Sequence, residues 1–449
     1  MYEINKDNQI SVKTPSGVSN VTCTGENVTQ GSVSGALISA NNLDRGINSH
    51  FEGSENEISY SDIRIQPCIY QDDLARLSTS RDNAQAGNIK IESCLESKLL
   101  DTNTNKTVYI ILGNKKCANK IREDISKNPL IMNNTVIKEK DQYKYLGDII
   151  HKDGISTSAH ATVKEREGRI TSAIIELKSI IDDCKLQIIG GALAGLEIWE
   201  LAILPSILTN ADTWVNISDK TIEVLEDIQI FMFRCLLGTP KSTTPSIILW
   251  DLGVIKMKYQ IIEKKLNFFH FLLNLKEDDL AKEILTVQMK CGFPGLAQEC
   301  MKLISELGLP DITQEKITKV SWKHQVKNAV SEKNEKELRV DLEKSKKSKE
   351  FRDETFETKS YFKKLNLIEA RLIFKKRSKM MQYVKMNFAN DPVYRKELWK
   401  CNECSSIDTQ SHIMWCPSFA AIRENLNLNE NKNLAKYFQE VLKIRANSS

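Results

Sequence analysis

The chain has little glycine and proline and no long run of apolar residues. Its 449 residues include 19 Gly and 10 Pro, which argues against a fibrous or low-complexity protein. The most apolar stretch, residues 188–208, contains Glu197 and Glu200, whose charges would be costly in lipid. This stretch predicts a buried helix, and we expect no membrane partner. The length allows roughly two to four domains, each with its own core.

The amino terminus lacks the features of a secretory signal. Residues 1–7 contain no basic segment followed by an apolar core, which predicts a nuclear or cytoplasmic protein. The 11 Cys residues are an odd number spread along the chain. In a reducing compartment this pattern favours free thiols and a metal site over a disulfide framework.

Charge is almost balanced overall but unevenly distributed. The formal net charge is +4, whereas residues 361–400 contain 11 Lys or Arg against 3 Asp or Glu, an excess of 8. Because cations bind phosphates and aromatic rings stack on unpaired bases, the mixture of cations with Phe374 and Tyr383 favours RNA binding. A solvated helix whose two aromatic residues belong to the core fits equally well. The cations predicted to bind nucleic acid are Arg371, Lys375, Lys376, Arg377 and Lys379.

The most specific local pattern is a cluster of three cysteines and one histidine. Cys401, Cys404, His412 and Cys416 lie within 16 residues. Three thiolates and one imidazole complete a tetrahedral zinc shell. Because four protein ligands leave no open position, we expect the zinc to be structural rather than catalytic. The alternative is that these residues fell together by chance.

A pair of acidic residues, Asp72 and Asp73, lies between apolar residues at 68–77. Enzymes that transfer nucleotides hold two Mg²⁺ ions with carboxylates on a rigid hairpin at the base of a cleft. An Asp-Asp pair meets that need. It is also typical of a plain turn, because Asp is favoured in turns for backbone reasons.

The amino-terminal third of the chain has the patterns of short strands and helices. Strand candidates are residues 63–70 and 107–112, and helix candidates are residues 31–51 and 81–100, the latter with Thr79 or Ser80 as N-cap. Strands are predicted next at residues 129–152, around a turn at Asn133-Asn134.

Helical spacing of apolar residues continues from Thr157 to about Leu309 and predicts several packed helices. Residues 331–360 are dense in charge of both signs and have almost no apolar stripe. We interpret them as a solvated helix or a linker.

A series of motifs resembles the reverse transcriptases of retrotransposons without long terminal repeats. Gln30-Gly31 resembles the motif that opens the palm helix, and Gln71-Asp72-Asp73 resembles the catalytic hairpin. Lys106 follows Leu99-Leu-Asp-Thr-Asn-Thr-Asn as in the next motif, and Tyr145-Leu146-Gly147 matches the primer grip. Residues 203–214 resemble the thumb, and the Cys/His cluster lies where such elements carry a zinc knuckle. The matches are collinear over about residues 10 to 420.

The resemblance implies a role for each motif. Asp72 would be the chief Mg²⁺ ligand and Asp73 its supporting neighbour, and Lys106 would donate a proton to pyrophosphate. Gln30 and Gly31 would line the template and nucleotide pocket, and residues 145–147 would grip the primer. Each motif also has an ordinary structural interpretation: a helix start, a solvent-facing lysine, or a turn glycine.

The resemblance also predicts the architecture. The fold class would be α+β, a partial right-hand polymerase palm followed by a helical thumb and a basic tail with a zinc knuckle. The expected domains are a partial palm at 1–112, a palm–thumb connection with a primer-grip-like hairpin at 113–154, a helical thumb at 155–310, a charged linker at 311–360, and a basic zinc-knuckle tail at 361–449.

The implied activity is RNA-templated DNA synthesis on an RNA template and a DNA primer, with the element's own RNA as a further partner. Only 23 residues precede Thr24, and they contain no strand resembling the one that carries the first catalytic aspartate of the family. We therefore expect a carboxy-terminal fragment that is inactive alone, for which a partner chain could supply the missing palm and fingers. The alternatives are a non-catalytic nucleic-acid-binding protein that keeps the thumb and the knuckle, and a helical scaffold with a zinc clip.

Overall fold

The fold is that of a computed structural model of the 449-residue chain. The described residues are 8–10, 13–14, 17–18, 22–24, 47, 51, 58–60, 63–70, 73–183, 189–292, 294–345, 348–351, 353–381 and 400–447.

The strands are short and, within the described residues, join in pairs. They are β1 Asn8–Ile10, β2 Lys13–Thr14, β3 Gly17–Val18, β4 Thr22–Thr24, β5 Ile58–Tyr60, β6 Ile63–Ile65, β7 Cys68–Tyr70, β8 Asp73–Ala75, β9 Val108–Tyr109, β10 Ile131–Met132, β11 Thr135–Val136, β12 Lys138–Glu139, β13 Gln142–Tyr145 and β14 Asp148–His151. The antiparallel pairs are β1–β4, β2–β3, β5–β6, β7–β8, β10–β11 and β13–β14, and β9 pairs with β12 in parallel.

Helices make up most of the structure. They are α1 Arg81–Ser97, α2 Lys115–Lys127, α3 Ile155–Asp183, α4 Gly191–Ile198, α5 Leu204–Ile207, α6 Asp219–Leu237, α7 Pro245–Leu252, α8 Met257–Leu273, α9 Leu280–Cys291, α10 Leu296–Glu306, α11 Lys319–Lys344, α12 Ser360–Lys364, α13 Leu367–Arg377, α14 Gln410–Trp415, α15 Ala420–Glu424 and α16 Asn431–Asn447. A search of the described helices for one long and apolar enough to span a bilayer found none.

The fold class is therefore mainly helical with a few small sheets, which agrees with the predicted class only in part. The chain divides into two compact units. One contains residues 1–154 and 276–291, and the other contains residues 155–275 and 292–449. The sheets of the described chain are two-stranded, and no polymerase palm is shown among them.

Local signals in the first unit mostly produce the elements that they predict. The helix predicted at 81–100 is α1, and the Ser80 hydroxyl accepts a hydrogen bond from the N–H of Asn83 at 3.1 Å, as an N-cap should. The strand predicted at 63–70 is split into β6 and β7, and the one predicted at 107–112 is reduced to β9. The helix predicted at 31–51 lies outside the described residues, apart from the buried residues 47 and 51.

Two hairpins of this unit have tight turns with left-handed backbone. Asn133 and Asn134 connect β10 to β11 with φ of 44° and 57°, and Leu146 and Gly147 connect β13 to β14 with φ of 48° and 87°. Positive φ at both turn residues matches the right-handed twist of the strands, and Asn and Gly tolerate it best. Leu146 adopts it against its steric preference.

A large hydrophobic core links many of the helices of the second unit. Its fully buried members come from helices far apart in sequence: Ile174 of α3, Phe233 of α6, Trp250 of α7, Phe374 of α13 and Tyr437 of α16. The helices predicted between residues 157 and 309 are present. The described residues after 360 also contribute to this core.

Helix α11 covers residues 331–344, just under half of the segment predicted as a solvated helix or a linker. It buries one residue in four along one face: Trp322, Val326, Val330, Asn334, Leu338 and Leu342. The polar member of this stripe is satisfied, because the Asn334 side-chain oxygen accepts a hydrogen bond from the N–H of Lys256 at 3.0 Å. The part of the segment up to residue 344 is therefore helical, and one face of that helix is buried.

A polar network joins α11 to α8. Glu337 forms ion pairs with Lys256 at 2.7 Å and with Lys258 at 2.5 Å, and it accepts a hydrogen bond from the Tyr259 hydroxyl at 2.8 Å. Burial raises the pKa of Glu337, but these three hydrogen bonds outweigh burial and lower the pKa to about 2. The folded state therefore favours the ionised carboxylate.

We predict that Glu337→Gln destabilises the second unit at neutral pH. A pKa lowered from 4.5 to about 2 corresponds to about 3 kcal/mol at most, and solvent screening of a side chain that is 32% exposed reduces this to about 1–2 kcal/mol. This stabilisation is complete above pH 4.5 and is lost as the pH falls toward 2, where Glu337 is protonated and resembles Gln.

Urea unfolding at pH 7 and at pH 2.5 would measure this difference. Glu332→Gln on the same helix is the control, because Glu332 is exposed and forms an ion pair with Lys336, its neighbour on the surface of α11. Equal midpoints for Glu337→Gln and the native protein at pH 7 would contradict the prediction.

Candidate metal centre

The four predicted zinc ligands come together in the structure. One ligand atom from each of Cys401, Cys404, His412 and Cys416 lies within 4.8 Å of all the others. The Sγ atoms of Cys401 and Cys416 are 4.0 Å apart, and Cys404 Sγ lies 3.3 Å from His412 Nε2. Tetrahedral zinc with Zn–S bonds of about 2.3 Å places two sulfurs about 3.8 Å apart. The cluster could therefore hold a metal ion such as zinc.

Backbone hydrogen bonds shape the turn that carries the first two ligands. Cys401 donates its N–H to the carbonyl of Ser406 at 2.7 Å, and Ser405 donates to the carbonyl of Cys401 at 2.8 Å. Ser405 adopts a φ of 60°, which reverses the chain direction directly after Cys404. Both thiols therefore face the same side of the turn.

The other two ligands belong to α14 and its carboxyl end. The Thr409 hydroxyl caps this helix by accepting the N–H of His412 at 3.1 Å. His412 and Cys416 are four residues apart, so they lie on the same side of one helical turn. The buried Tyr437 hydroxyl donates to the carbonyl of Ile413 at 2.6 Å and fixes the helix against α16.

Two of the four ligands lie within the core of the second unit, and Cys404 and His412 are partly exposed. Cys401 is 2% exposed and Cys416 is fully buried, and both pack with Ile413 and Phe419 in the same core as the preceding helices. Four ligands held in this way leave no open coordination position, which suits a structural metal.

The thiols of the cluster differ in acidity. Burial first of all, together with the neighbouring sulfurs of Cys404 and Cys401, raises the pKa of Cys416 to about 11, although a hydrogen bond with the backbone of Ser418 lowers it. Burial also raises the pKa of Cys404, but hydrogen bonds, first of all with Ser406, lower it by more. Three neighbouring thiolates repel one another, so a divalent cation would stabilise the fully ionised cluster.

The residues predicted to form the polymerase site are described only in part. Gln30, Gly31 and Asp72 lie outside the described residues. Asp73 is the first residue of β8 and is exposed, and the flanking Ile69 and Leu74 pack against the core of the first unit. The predicted hairpin therefore exists, with residues 71–72 between its strands.

Lys106 lies in an exposed turn, and its N–H donates locally to the carbonyl of Asn103 at 3.0 Å. The roles predicted for Asp72, Asp73 and Lys106, including Mg²⁺ binding, stay predictions.

The hairpin predicted to grip the primer is β13–β14, and Tyr145 is the last residue of β13. Burial raises the pKa of the Tyr145 phenol, and the negative charges of Cys68 and Asp73 raise it further.

Both arginines of α13, the helix predicted to bind nucleic acid, bind acceptor groups of the protein itself. Arg371 Nε donates to the carbonyl of Leu236 at 2.8 Å and its Nη1 to Asp182 at 2.9 Å. Arg377 pairs with the buried Asp251 at 2.8 Å. Phe374 is fully buried and belongs to the core, as the alternative interpretation expected.

The lysines of this region differ from the arginines. Lys375 is largely covered, and burial lowers its pKa. Lys376 and Lys379 are partly exposed, and Lys379 adopts a φ of 58° just after the helix. Their role in binding nucleic acid stays a prediction.

Two important groups escaped the sequence reasoning. Asp251 is a single acidic residue in the apolar run Pro245–Leu252, and a buried charge of this kind requires a buried cation. The sequence therefore contained a signal for this buried ion pair. No comparable signal connects Arg445 with Cys401, which lies 44 residues before it.

The structure thus defines a mainly helical protein with a candidate Cys₃His metal centre. No protein-family model matches the chain, and comparison with curated proteins found none that is similar to it.

We predict that the full-length chain binds one zinc ion at this centre. Elemental analysis after purification without chelator should give about one zinc per chain, and Cys401→Ser combined with Cys404→Ser should abolish it, because two of four ligands are lost. Cys291→Ser is the control, because this exposed cysteine lies outside the cluster. A zinc content near zero, or one that survives the double substitution, would rule the site out.

Proposed function

We propose that this chain is part of a reverse transcriptase of the kind encoded by retrotransposons without long terminal repeats. It binds an RNA template and a DNA primer, in the nucleus or the cytoplasm, and carries one structural zinc. The partial palm would comprise the hairpins of the first unit, and the thumb would comprise the helices of the second.

The observation that carries the proposal is a pair of antiparallel hairpins in the two segments that the resemblance singles out. Asp73 begins β8 in the segment that resembles a catalytic hairpin, where Ile69 and Leu74 pack against the core of the first unit. Tyr145 ends β13 in the segment that resembles a primer grip. Nucleotide transfer requires the primer end to lie beside the carboxylates that bind Mg²⁺. A primer grip next to the aspartates would meet this requirement. Asp72 and Asp73 would hold Mg²⁺, Lys106 would lie near the leaving pyrophosphate, and Gln30 and Gly31 would contact the template and the nucleotide.

A non-catalytic helical scaffold with a zinc clip is the second candidate. It is favoured by the burial of Phe374 and by the engagement of Arg371 and Arg377 with protein acceptors. Such a scaffold would show no salt-sensitive binding of nucleic acid, which separates it from the first candidate.

We predict that the chain binds single-stranded RNA with an affinity that falls steeply with salt. Each phosphate neutralised by a lysine releases counterions, so the logarithm of the association constant should fall linearly with the logarithm of salt concentration. Lys379→Gln should reduce the slope by about 0.7, the value for one phosphate on a single strand.

Fluorescence anisotropy with a labelled RNA would measure the salt dependence of binding for the native chain and for Lys379→Gln. Lys333→Gln is the matched control, because Lys333 is an exposed lysine on α11. An absence of binding at low salt would refute the prediction and support the scaffold. Equal slopes for Lys379→Gln and the native chain would remove Lys379 from the binding surface.

We also predict that Tyr145→Ala weakens binding of a primer–template duplex about fivefold, because Tyr145 lies at the proposed position of the primer end. Tyr143→Ala is the control, since Tyr143 lies on the same strand two residues away. Competition with an unlabelled primer–template would give both affinities. The primer-grip role fails if the two substitutions weaken binding equally.

Any primer extension observed with Mg²⁺ or Mn²⁺ should be abolished by Asp72→Asn.

A further inference from the structure

An arginine on the last helix reaches the candidate metal centre. Arg445 of α16 donates from Nη2 to the Sγ of Cys401 at 3.7 Å. The same guanidinium forms hydrogen bonds with both carboxylate oxygens of Asp408, from Nη2 to Oδ1 at 2.8 Å and from Nη1 to Oδ2 at 3.1 Å. Its Cζ lies 5.8 Å from the centre of the Phe419 ring.

The surroundings of Arg445 fix its orientation. The side chain of Asp408 is fully buried and that of Arg445 is 15% exposed, so the pair is almost withdrawn from water. A two-pronged pairing of guanidinium and carboxylate defines the plane of the arginine. The Nη2 group is therefore directed toward both Asp408 and the sulfur of Cys401 by a rigid partner.

We propose that Arg445, oriented by Asp408, is a positioning residue of the zinc centre. Three thiolates and one dication leave the metal cluster with a net charge of −1, and two of the three thiolates, those of Cys401 and Cys416, are buried. A guanidinium N–H directed at one thiolate stabilises that charge and holds Cys401 in its coordinating orientation. Groups that orient metal ligands in this way are known to affect metal affinity strongly. The inference depends on the proposed zinc site and adds a residue to it.

Arginine is suited to this role by its geometry. Its planar fork offers several N–H groups at fixed angles, so one side chain can satisfy both Asp408 and Cys401. A lysine ammonium on a flexible stem would pair with the carboxylate and would not hold the sulfur in the same direction. Arg445→Lys thus keeps the positive charge but no longer holds the Cys401 sulfur in its coordinating orientation.

The test is a zinc-affinity measurement on the full-length chain by competition with a chromophoric chelator. We expect Arg445→Lys to weaken zinc binding about tenfold or more while one zinc still binds at saturation. Lys443→Gln is the control, because Lys443 is an exposed residue on the same helix, and it should bind zinc like the native chain. In the Co²⁺-loaded chain, the sulfur-to-metal charge-transfer band should shift in Arg445→Lys, which a general loss of stability would not cause.

Asp408→Asn provides a second variant, in case Arg445→Lys does not fold. It keeps the size of the side chain but weakens its hold on the guanidinium, so it should lower zinc affinity by a smaller factor. Native affinity and an unshifted Co²⁺ band in a folded Arg445→Lys or Asp408→Asn chain would overturn the inference. Absence of zinc from the native chain would instead refute the proposed metal site, so the two failures are distinguishable.

Discussion

The buried carboxylate of Asp251 determines how the second unit is assembled. It lies at the end of α7, is fully buried, and is contacted by Arg377 at 2.8 Å and by the Tyr361 hydroxyl at 2.5 Å. Burial raises the pKa of the Asp251 carboxyl, and the Arg377 guanidinium opposes this shift. Leaving either charge without the other in such a core would cost about 3–5 kcal/mol. Helices α12 and α13 are thereby fixed against α7.

The backbone around Asp251 reinforces the same contact. Lys359 donates its N–H to the carbonyl of Asp251 at 3.1 Å, and the Thr358 hydroxyl donates to that of Leu252 at 2.9 Å. Gly253 ends α7 with a φ of 68°, and a Cβ atom there would collide with the backbone of Thr358. From this point a continuous series of contacts leads to the metal centre, because α13 packs on α16 and α16 supplies Tyr437 and Arg445. The geometry of the Cys₃His cluster therefore depends on core packing as well as on the spacing of its ligands.

Sequence reasoning succeeded where the determinants are local. The Ser80 cap, the Asn133-Asn134 turn and the spacing of the Cys/His ligands act over a few residues, so their residue types predict the geometry directly. Sequence reasoning failed where the residue that a side chain contacts is distant in the sequence. The stripe on α11 has one buried residue in four, includes Asn334, and is surrounded by charged side chains, so its apolar periodicity is weak. Arg377 looked like a solvent-exposed cation because its partner Asp251 is 126 residues away.

The distribution of cations limits how the second unit can recognise nucleic acid. The arginines Arg371 and Arg377 are held by protein acceptors, and Lys363 and Lys364 remain exposed. Arginine forks read base edges and grip phosphates in fixed geometry, whereas lysine acts as a mobile point charge. A surface that relies on lysines therefore attracts the phosphate backbone and carries little base specificity. A polymerase must move along templates of any sequence, so attraction of this kind agrees with the proposed function better than with recognition of one specific site.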